Sequence, residues 1–149
     1  MSINPDLAGR NYPAQEPYVV GREKIREFAA AVKATHRAHY DLDAAAQLGH
    51  GDLLAPPTFA IIVAQRADAL LVNDSDSGID FSRVVHADQR FTHHRPIVAG
   101  DQLVAELHVD TVRAMGGGAM ISTRAEIATT EGEKVATTVS SILVRGEDQ

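Results

Sequence analysis

The clearest pattern in the chain is the run TFAIIVAQRADALLV, residues 58–72, in which apolar side chains occupy nearly every side of a helix. A helix that is apolar almost all round is usually wrapped by other structure. Pro56 and Pro57 suit its first turn, where a backbone N–H is not needed. Arg66 and Asp68 make the stretch too polar to span a bilayer. We therefore predict a central helix in the protein core.

Two shorter helices are predicted before it. The segment GREKIREFAAAVKA, residues 21–34, repeats apolar residues at three- and four-residue spacing, as an amphipathic helix does. A second helix is predicted over Leu42–Leu48, because Asp41 can cap its N-terminus and Gly49 can take the left-handed position after its last turn. The preceding residues 1–17 contain three X-Pro dipeptides and are expected to be extended.

After Asn73 the hydrophobic period changes from that of a helix to two, which is typical of β-strands. The predicted strands are Arg83–His93, Leu103–Asp110, Ile121–Ile127 and Val135–Val144, with a short one at Tyr18–Val20. Gly116–Gly118 interrupts the pattern between two of them, and Glu131–Glu133 predicts a hairpin turn. The order of elements favours an antiparallel sheet curled around the central helix. From pattern alone, a helix lying across a flat sheet is an equal alternative.

Composition limits the classes of function. The 149 residues, 44% hydrophobic and 23% charged, fit one globular domain over residues 1–149. A net charge of −6 without a Lys/Arg cluster argues against a nucleic-acid or anionic-membrane surface. The lack of cysteine excludes disulfides and thiolate chemistry, and His86, His93 and His94 have no metal-ligand spacing, so we expect neither metal nor cofactor. The N-terminal residues carry no signal-peptide pattern, which leads us to expect a cytoplasmic protein.

Two segments resemble the MaoC-like (R)-hydratase family. Residues 39–59, HYDLDAAAQLGHGDLLAPPTF, are similar to the family pattern His-x-Asp-x-x-x-Ala-x-x-x-Gly followed by a loop and the start of the central helix. The matching positions are His39, Asp41, Ala45 and Gly49. Residues 90–103, RFTHHRPIVAGDQL, resemble the family's strand, Arg-Pro turn and Gly-Asp turn.

Within that superfamily, the segments GREKIREFAAAV, LAPPTF and SRVVHADQRF resemble HadA-type subunits of (3R)-hydroxyacyl-ACP dehydratase, also called MaoC N-terminal or FAS1-like dehydratase domains. This resemblance extends over nearly the whole chain. It implies a single α+β hot-dog fold, an antiparallel sheet wrapped around a long central helix.

The resemblance also implies where acid/base chemistry would lie. Active relatives carry Asp-x-Asn-Pro-x-His, whose Asp and His handle a water and exchange protons at the α and β carbons of an enoyl thioester. Here the stretch 34–39 places Ala34 at the Asp position, His36 at the Asn position and His39 at the His position. Alanine carries no proton, and the reaction needs two groups of different proton affinity. His39 is thus the catalytic candidate and His36 a weaker one, while a chance match of a loop histidine stays equally open.

In active relatives a backbone N–H at the start of the central helix, commonly from Gly, polarises the thioester carbonyl. The corresponding residue here is Pro57, which has no N–H. Thr58 or Phe59 can offer theirs, since the first turn of a helix leaves donors free. We predict that Pro57, Thr58, Phe59, Ile62 and Val63 bind the substrate, with core packing as the alternative role for the apolar ones.

Three functions are consistent with these patterns. The first is a substrate-binding, weakly or non-catalytic subunit of a (3R)-hydroxyacyl-thioester dehydratase in fatty-acid metabolism, paired through its sheet with a catalytic MaoC-like chain. The second is a self-sufficient homodimeric (R)-specific enoyl-thioester hydratase that uses His39, assisted by His36 or Asp41. The third is a non-enzymatic acyl-thioester-binding protein. The thioester carrier would be CoA or acyl carrier protein, with Arg37 and Arg95 as candidate basic residues near the mouth of the site.

Overall fold

The computed structural model describes residues 3–146, which contain one long, partly buried helix and a six-stranded sheet. The helices are α1 (Arg22–Ala31), α2 (Leu42–Gln47) and α3 (Ala60–Val72). The strands are β1 (Asn11–Tyr12), β2 (Tyr18–Val19), β3 (Val84–His93), β4 (Gln102–Met115), β5 (Gly118–Thr129) and β6 (Lys134–Val144). Within residues 3–146, no helix is long and apolar enough to cross a membrane.

All strand pairs are antiparallel, and the order across the sheet is β1-β4-β5-β6-β3, with β2 also paired to β4. The four predicted long strands are confirmed, although β4 and β5 extend further toward their shared turn. That turn contains Gly117 with a φ of 87°, a conformation that side chains with a Cβ rarely adopt. At Gly118 a Cβ would lie 2.0 Å from the carbonyl oxygen of Val144, so only glycine fits beside β6.

The central helix α3 lies against the concave side of the sheet, where it contacts β1, β4, β5 and β6. Its buried residues are Ala60, Val63, Ala64, Ala67 and Leu71. They pack with inward-facing residues of the sheet such as Leu107 and Ile121, both completely buried. The predicted hot-dog arrangement is therefore confirmed. The wrapping is one-sided, however, because Gln65, Ala69 and Val72 on α3 are exposed in this chain.

The shorter helices follow the predictions with one difference. Helix α2 begins after Asp41, whose carboxylate accepts a hydrogen bond from the Asp43 N–H, and Gly49 has the predicted left-handed φ of 89°. Helix α1 ends at Ala31 rather than at residue 34, because Lys33 takes a left-handed φ of 60°. Residues 34–36 therefore lie outside α1, in the connection to the 3-10 turn Arg37–His39.

A short backbone pairing joins the loop before α3 to the connection between β3 and β4. The Ala55 N–H donates to the Ile97 oxygen at 2.9 Å, and the Ala99 N–H donates to the Leu53 oxygen at 3.0 Å. Arg95 and Asp101 close the same connection with two parallel hydrogen bonds of 2.9 and 3.1 Å. Asp101 also accepts the Val98 N–H at 2.9 Å. The Arg-Pro and Gly-Asp pattern thus has a structural role, which is to fix the loop that leads into α3.

We predict that Asp101→Ala lowers the free energy of unfolding by about 2 kcal/mol, since it removes a mostly buried ion pair and the acceptor of a backbone N–H. Denaturant titration measures the change. The matched control is Asp88→Ala, whose pair with Arg90 is largely exposed and whose loss should change the free energy by less than about 0.5 kcal/mol. Equal effects of the two substitutions would show that Asp101 does not hold this connection.

Candidate functional site

His39 lies at the end of a 3-10 turn, Arg37–His39, and is 6% exposed. Its Nδ1 is 2.7 Å from the carbonyl oxygen of Leu54. A carbonyl only accepts, so Nδ1 carries a proton, and the neutral form of the ring has its lone pair on Nε2. The Leu54 N–H in turn donates to the Ala38 oxygen at 3.0 Å. The imidazole is thus fixed in one tautomer against the loop that precedes α3.

His36 and Asp41, the residues predicted to assist His39, form hydrogen bonds with other groups. His36 is exposed, its Nδ1 accepts the Ala38 N–H at 3.0 Å, and its ring centroid is 6.2 Å from that of His39. Asp41 accepts from the Asp43 N–H and pairs with Arg37 at 3.1 Å. Among residues 3–146, no carboxylate forms a hydrogen bond or ion pair with either histidine.

The start of α3 offers one free backbone donor. A 3-10 turn over Pro57–Phe59 runs directly into the helix. The Phe59 N–H donates to the Pro56 oxygen at 2.9 Å, whereas the Thr58 N–H has no acceptor within the part of the chain that the structure describes. Free N–H groups at this end carry the positive pole of the helix dipole. Of the two predicted donors, Thr58 is therefore the one available to a developing negative charge.

An open groove of about 470 Å³ runs along the uncovered face of α3. Its lining consists of Thr58, Ile61, Gln65 and Asp68 from the helix, Phe28 and Val32 from the end of α1, and His86, Gln89, Phe91 and Ser140 from the sheet. Ile61, Gln65 and Asp68 were not among the residues predicted from the sequence to bind substrate. The signal was present, because positions 58, 61, 65 and 68 recur at the three- and four-residue spacing of one helix face.

The five predicted substrate-binding residues are divided between the groove, a neighbouring pocket and the core. Thr58 lines the groove, and Pro57 lines an adjacent pocket of about 440 Å³ beside residues 93–97. Phe59 is completely buried and meets Phe28 edge to face at 5.4 Å. Val63 is 2% exposed, and Ile62 is partly buried against the core. This placement favours the packing role for Phe59 and Val63, and their contact with substrate stays a prediction.

Of the two predicted basic residues, Arg95 is occupied by Asp101 and Glu133, at 2.9 and 3.1 Å. Arg37 is largely exposed on the 3-10 turn of His39. Only Arg37 therefore keeps most of its surface available to a carrier phosphate.

Asp68 is the anomalous group of the groove. It is partly buried, and no residue of the described chain gives it a hydrogen bond or an ion pair. Burial raises the pKa of its carboxyl to about 6, an effect that the electrostatic interaction with His86 partly opposes. A carboxylate without a partner beside apolar side chains lowers the free energy of unfolding. Such a placement is unusual unless the carboxylate serves a function.

Both a family model and a relative of known sequence match nearly the whole chain. A family model described as the FAS1-like dehydratase domain region matches residues 6–138. A UPF0336 protein of Leifsonia xyli is 49% identical over 98% of each chain.

Two solved structures are similar throughout this chain. One is the C-terminally truncated HadBC (3R-hydroxyacyl-ACP dehydratase) complex from Mycobacterium tuberculosis, 35% identical with a TM-score of 0.86, the match covering 95% of this chain and 99% of that one. The other is a MaoC-like dehydratase, 32% identical with a TM-score of 0.86, where the match covers 95% of this chain and 43% of the other.

We predict that long-range ¹H–¹⁵N NMR at neutral pH shows the Nδ1–H tautomer for His39, because the Leu54 carbonyl accepts from Nδ1. His36 should show the Nε2–H tautomer, because its Nδ1 accepts the Ala38 N–H. Finding Nε2–H at His39 would contradict the tautomer assigned here.

We predict that Asp68→Asn raises the free energy of unfolding by about 2 kcal/mol at about pH 8 and leaves it unchanged at about pH 4. The folded-state pKa of about 6 lies above that of the unfolded chain, so wild-type stability falls as pH rises between these values. Urea titrations across this range measure the difference. Asp43→Asn, on the exposed surface of α2, serves as the control and should show no such pH-dependent gain. A gain that persists at about pH 4 would mean that ionisation is not its cause.

Proposed function

This chain belongs to the FAS1-like dehydratase domain family, and from that premise we propose that it is the substrate-binding, weakly or non-catalytic subunit of a (3R)-hydroxyacyl-thioester dehydratase in fatty-acid metabolism. Its substrate would be an acyl thioester of CoA or acyl carrier protein. A catalytic MaoC-like chain would supply most of the proton transfer.

The observation that carries this proposal is the isolation of His39. Dehydration moves a proton from the α carbon and a hydroxyl from the β carbon, and thus needs a base and an acid at adjacent atoms. The neutral form of His39 offers one lone pair on Nε2, and no carboxylate from residues 3–146 forms a hydrogen bond or an ion pair with this side chain. Loss of one member of such a pair typically reduces the rate by a factor on the order of 10² to 10⁴. The sequence pattern supports the same conclusion, because Ala34 stands at the position of the family's Asp.

Two features of the site support the thioester-binding part of this proposal. The free Thr58 N–H at the positive end of α3 suits a thioester carbonyl, since helix N-termini favour negative charge. The groove that begins at Thr58 is bordered by the apolar side chains of Phe28, Ile61 and Phe91. Together they offer a polar anchor for the carbonyl and an apolar surface for the tail.

Two features support a partner subunit. Strand β3 pairs only with β6, which leaves a ten-residue edge without a neighbour among the described residues. Such an edge is a liability in a monomer and is commonly covered by association. The similar HadBC structure is a complex, and the matched MaoC-like dehydratase has more than half of its chain outside the match, enough for a second domain of this size.

The free Nε2 of His39 favours a second candidate, a self-sufficient homodimeric hydratase. A neutral imidazole with an available lone pair can act as a general base. This candidate places all turnover in the lone chain, and the two proposals therefore differ in a measurable way.

We predict that the purified chain hydrates crotonyl-CoA at least about 100-fold more slowly than its complex with a MaoC-like chain that bears Asp-x-Asn-Pro-x-His. In the complex, His39→Asn should keep the rate within about threefold of wild type, since the amide nitrogen can retain the hydrogen bond to Leu54 while the base is removed. Alanine at the histidine of the partner's motif should abolish turnover. A spectrophotometric hydratase assay gives both rates, with His36→Asn as the matched control.

If the lone chain is fully active and His39→Asn abolishes that activity, the homodimeric hydratase replaces the subunit proposal. Binding of acyl-CoA without turnover by either preparation would instead favour the non-enzymatic binding protein.

A further inference from the structure

We propose that Asp68 sets the acyl-chain length that this protein accepts, by ending the apolar part of the groove beside α3 with a carboxylate. This inference rests on the proposed function and names the substrate class, which is short- to medium-chain acyl thioesters. Asp68 acts here as a specificity-determining residue for binding and takes no part in proton transfer.

The geometry of α3 places Asp68 at a defined distance from the anchor point. Thr58, Ile61, Gln65 and Asp68 share one face of the helix and line one groove. With a rise of 1.5 Å per residue, Gln65 lies about 10 Å and Asp68 about 15 Å along the axis from Thr58. A thioester carbonyl held at the Thr58 N–H would therefore direct its tail along the helix toward Asp68. An extended acyl chain of about eight carbons reaches the level of Gln65, and one of about twelve carbons reaches Asp68.

The lining changes character along this path. Near Thr58 the groove is bordered by Phe28, Ile61 and Phe91, all apolar. Farther along α3 the side chains are Gln65 and Asp68, and they are faced from β3 by Gln89 and His86. The order along β3 agrees with that along α3, because Phe91, Gln89 and His86 follow one another on the strand, paired with Thr138, Ser140 and Ile142 of β6.

This change of lining has an energetic consequence. Each methylene that leaves water for the apolar part raises affinity about threefold to fourfold. A methylene pressed against Asp68 displaces the water that solvates a carboxylate with no protein partner, and that desolvation is unfavourable. Affinity should therefore rise with tail length up to the position of Gln65 and then stop rising or fall.

The test measures binding of butyryl-, octanoyl-, dodecanoyl- and hexadecanoyl-CoA by calorimetry at about pH 8, with the purified chain and with its complex. Wild-type protein should bind octanoyl-CoA more tightly than butyryl-CoA and gain nothing from longer tails. Asp68→Leu should raise affinity for the two longest tails at least about tenfold and leave the two shortest within about twofold. Asp43→Leu, on α2 and outside the groove, is the matched control and should keep the wild-type profile.

A second readout uses protonation of the same carboxyl. Asp68 and His86 are the ionisable side chains among the groove-lining residues. At about pH 5 the ratio of hexadecanoyl to octanoyl affinity should rise in wild type, since a neutral carboxyl tolerates hydrocarbon better. Asp68→Asn keeps His86 and should lose this dependence.

The outcomes separate this inference from the function on which it rests. The inference that Asp68 limits acyl-chain length is called the length rule below. If no thioester of any length binds the chain or the complex, the proposed function fails and the length rule fails with it. If thioesters bind but Asp68→Leu keeps the wild-type profile, the length rule alone is overturned. The length rule is also overturned if Asp68→Leu prevents complex formation with an unchanged profile, because Asp68 would then be a subunit contact.

Discussion

The candidate site depends on how one backbone unit, that of Leu54, is held. Its N–H donates to the Ala38 oxygen and its carbonyl accepts from His39, while its neighbours pair with Ile97 and Ala99. These bonds tie two segments that are distant in sequence, Ala38–His39 and Ile97–Ala99, to a single strand-like loop. Because the same loop continues into the first turn of α3, it fixes both the imidazole of His39 and the free N–H of Thr58. Small shifts in this loop would move the two together.

The sheet buries only one face of α3. The sheet covers the face that contains Ala60, Ala64 and Ala67, whose small side chains allow close approach of helix and strands. The opposite face borders an open groove, and β3 leaves a free edge next to it. An exposed groove and an unpaired strand edge on the same side are costly in an isolated molecule. Both features therefore support the proposed association with a partner subunit on this side.

Periodicity predicted the elements better than the site. The three helices and the four long strands were predictable from periodicity, because alternation of two and spacing of three to four residues directly report the side that faces the core. Periodicity left a curled and a flat sheet equally open, and only the family resemblance implied the curled one. The short strand β1 was not predictable, since two residues in a proline-rich segment carry no period. Helix α1 ends before the predicted position because Lys33 adopts a left-handed backbone conformation. Helix propensity does not predict such a conformation for lysine.

The groove residues were missed for a different reason. On a helix that is apolar nearly all round, the sequence does not show which face the sheet will cover, so Phe59 and Val63 were as plausible a lining as Ile61. The polar positions Gln65 and Asp68 held that information, because an unpaired carboxylate avoids the covered face.

The two ends of the groove also show how stability and selectivity oppose each other on one helix. A leucine in place of Asp68 would bury more apolar surface and remove the desolvation cost that raises the pKa of the carboxyl. A core built for stability alone would contain that leucine, and sites that retain a destabilising group commonly do so for function. The helix therefore has an apolar side that builds the fold and a side of mixed polarity, with a free N–H at one end and a carboxylate at the other. The distance between those two groups is set by helical rise, so a length preference is built into the main chain.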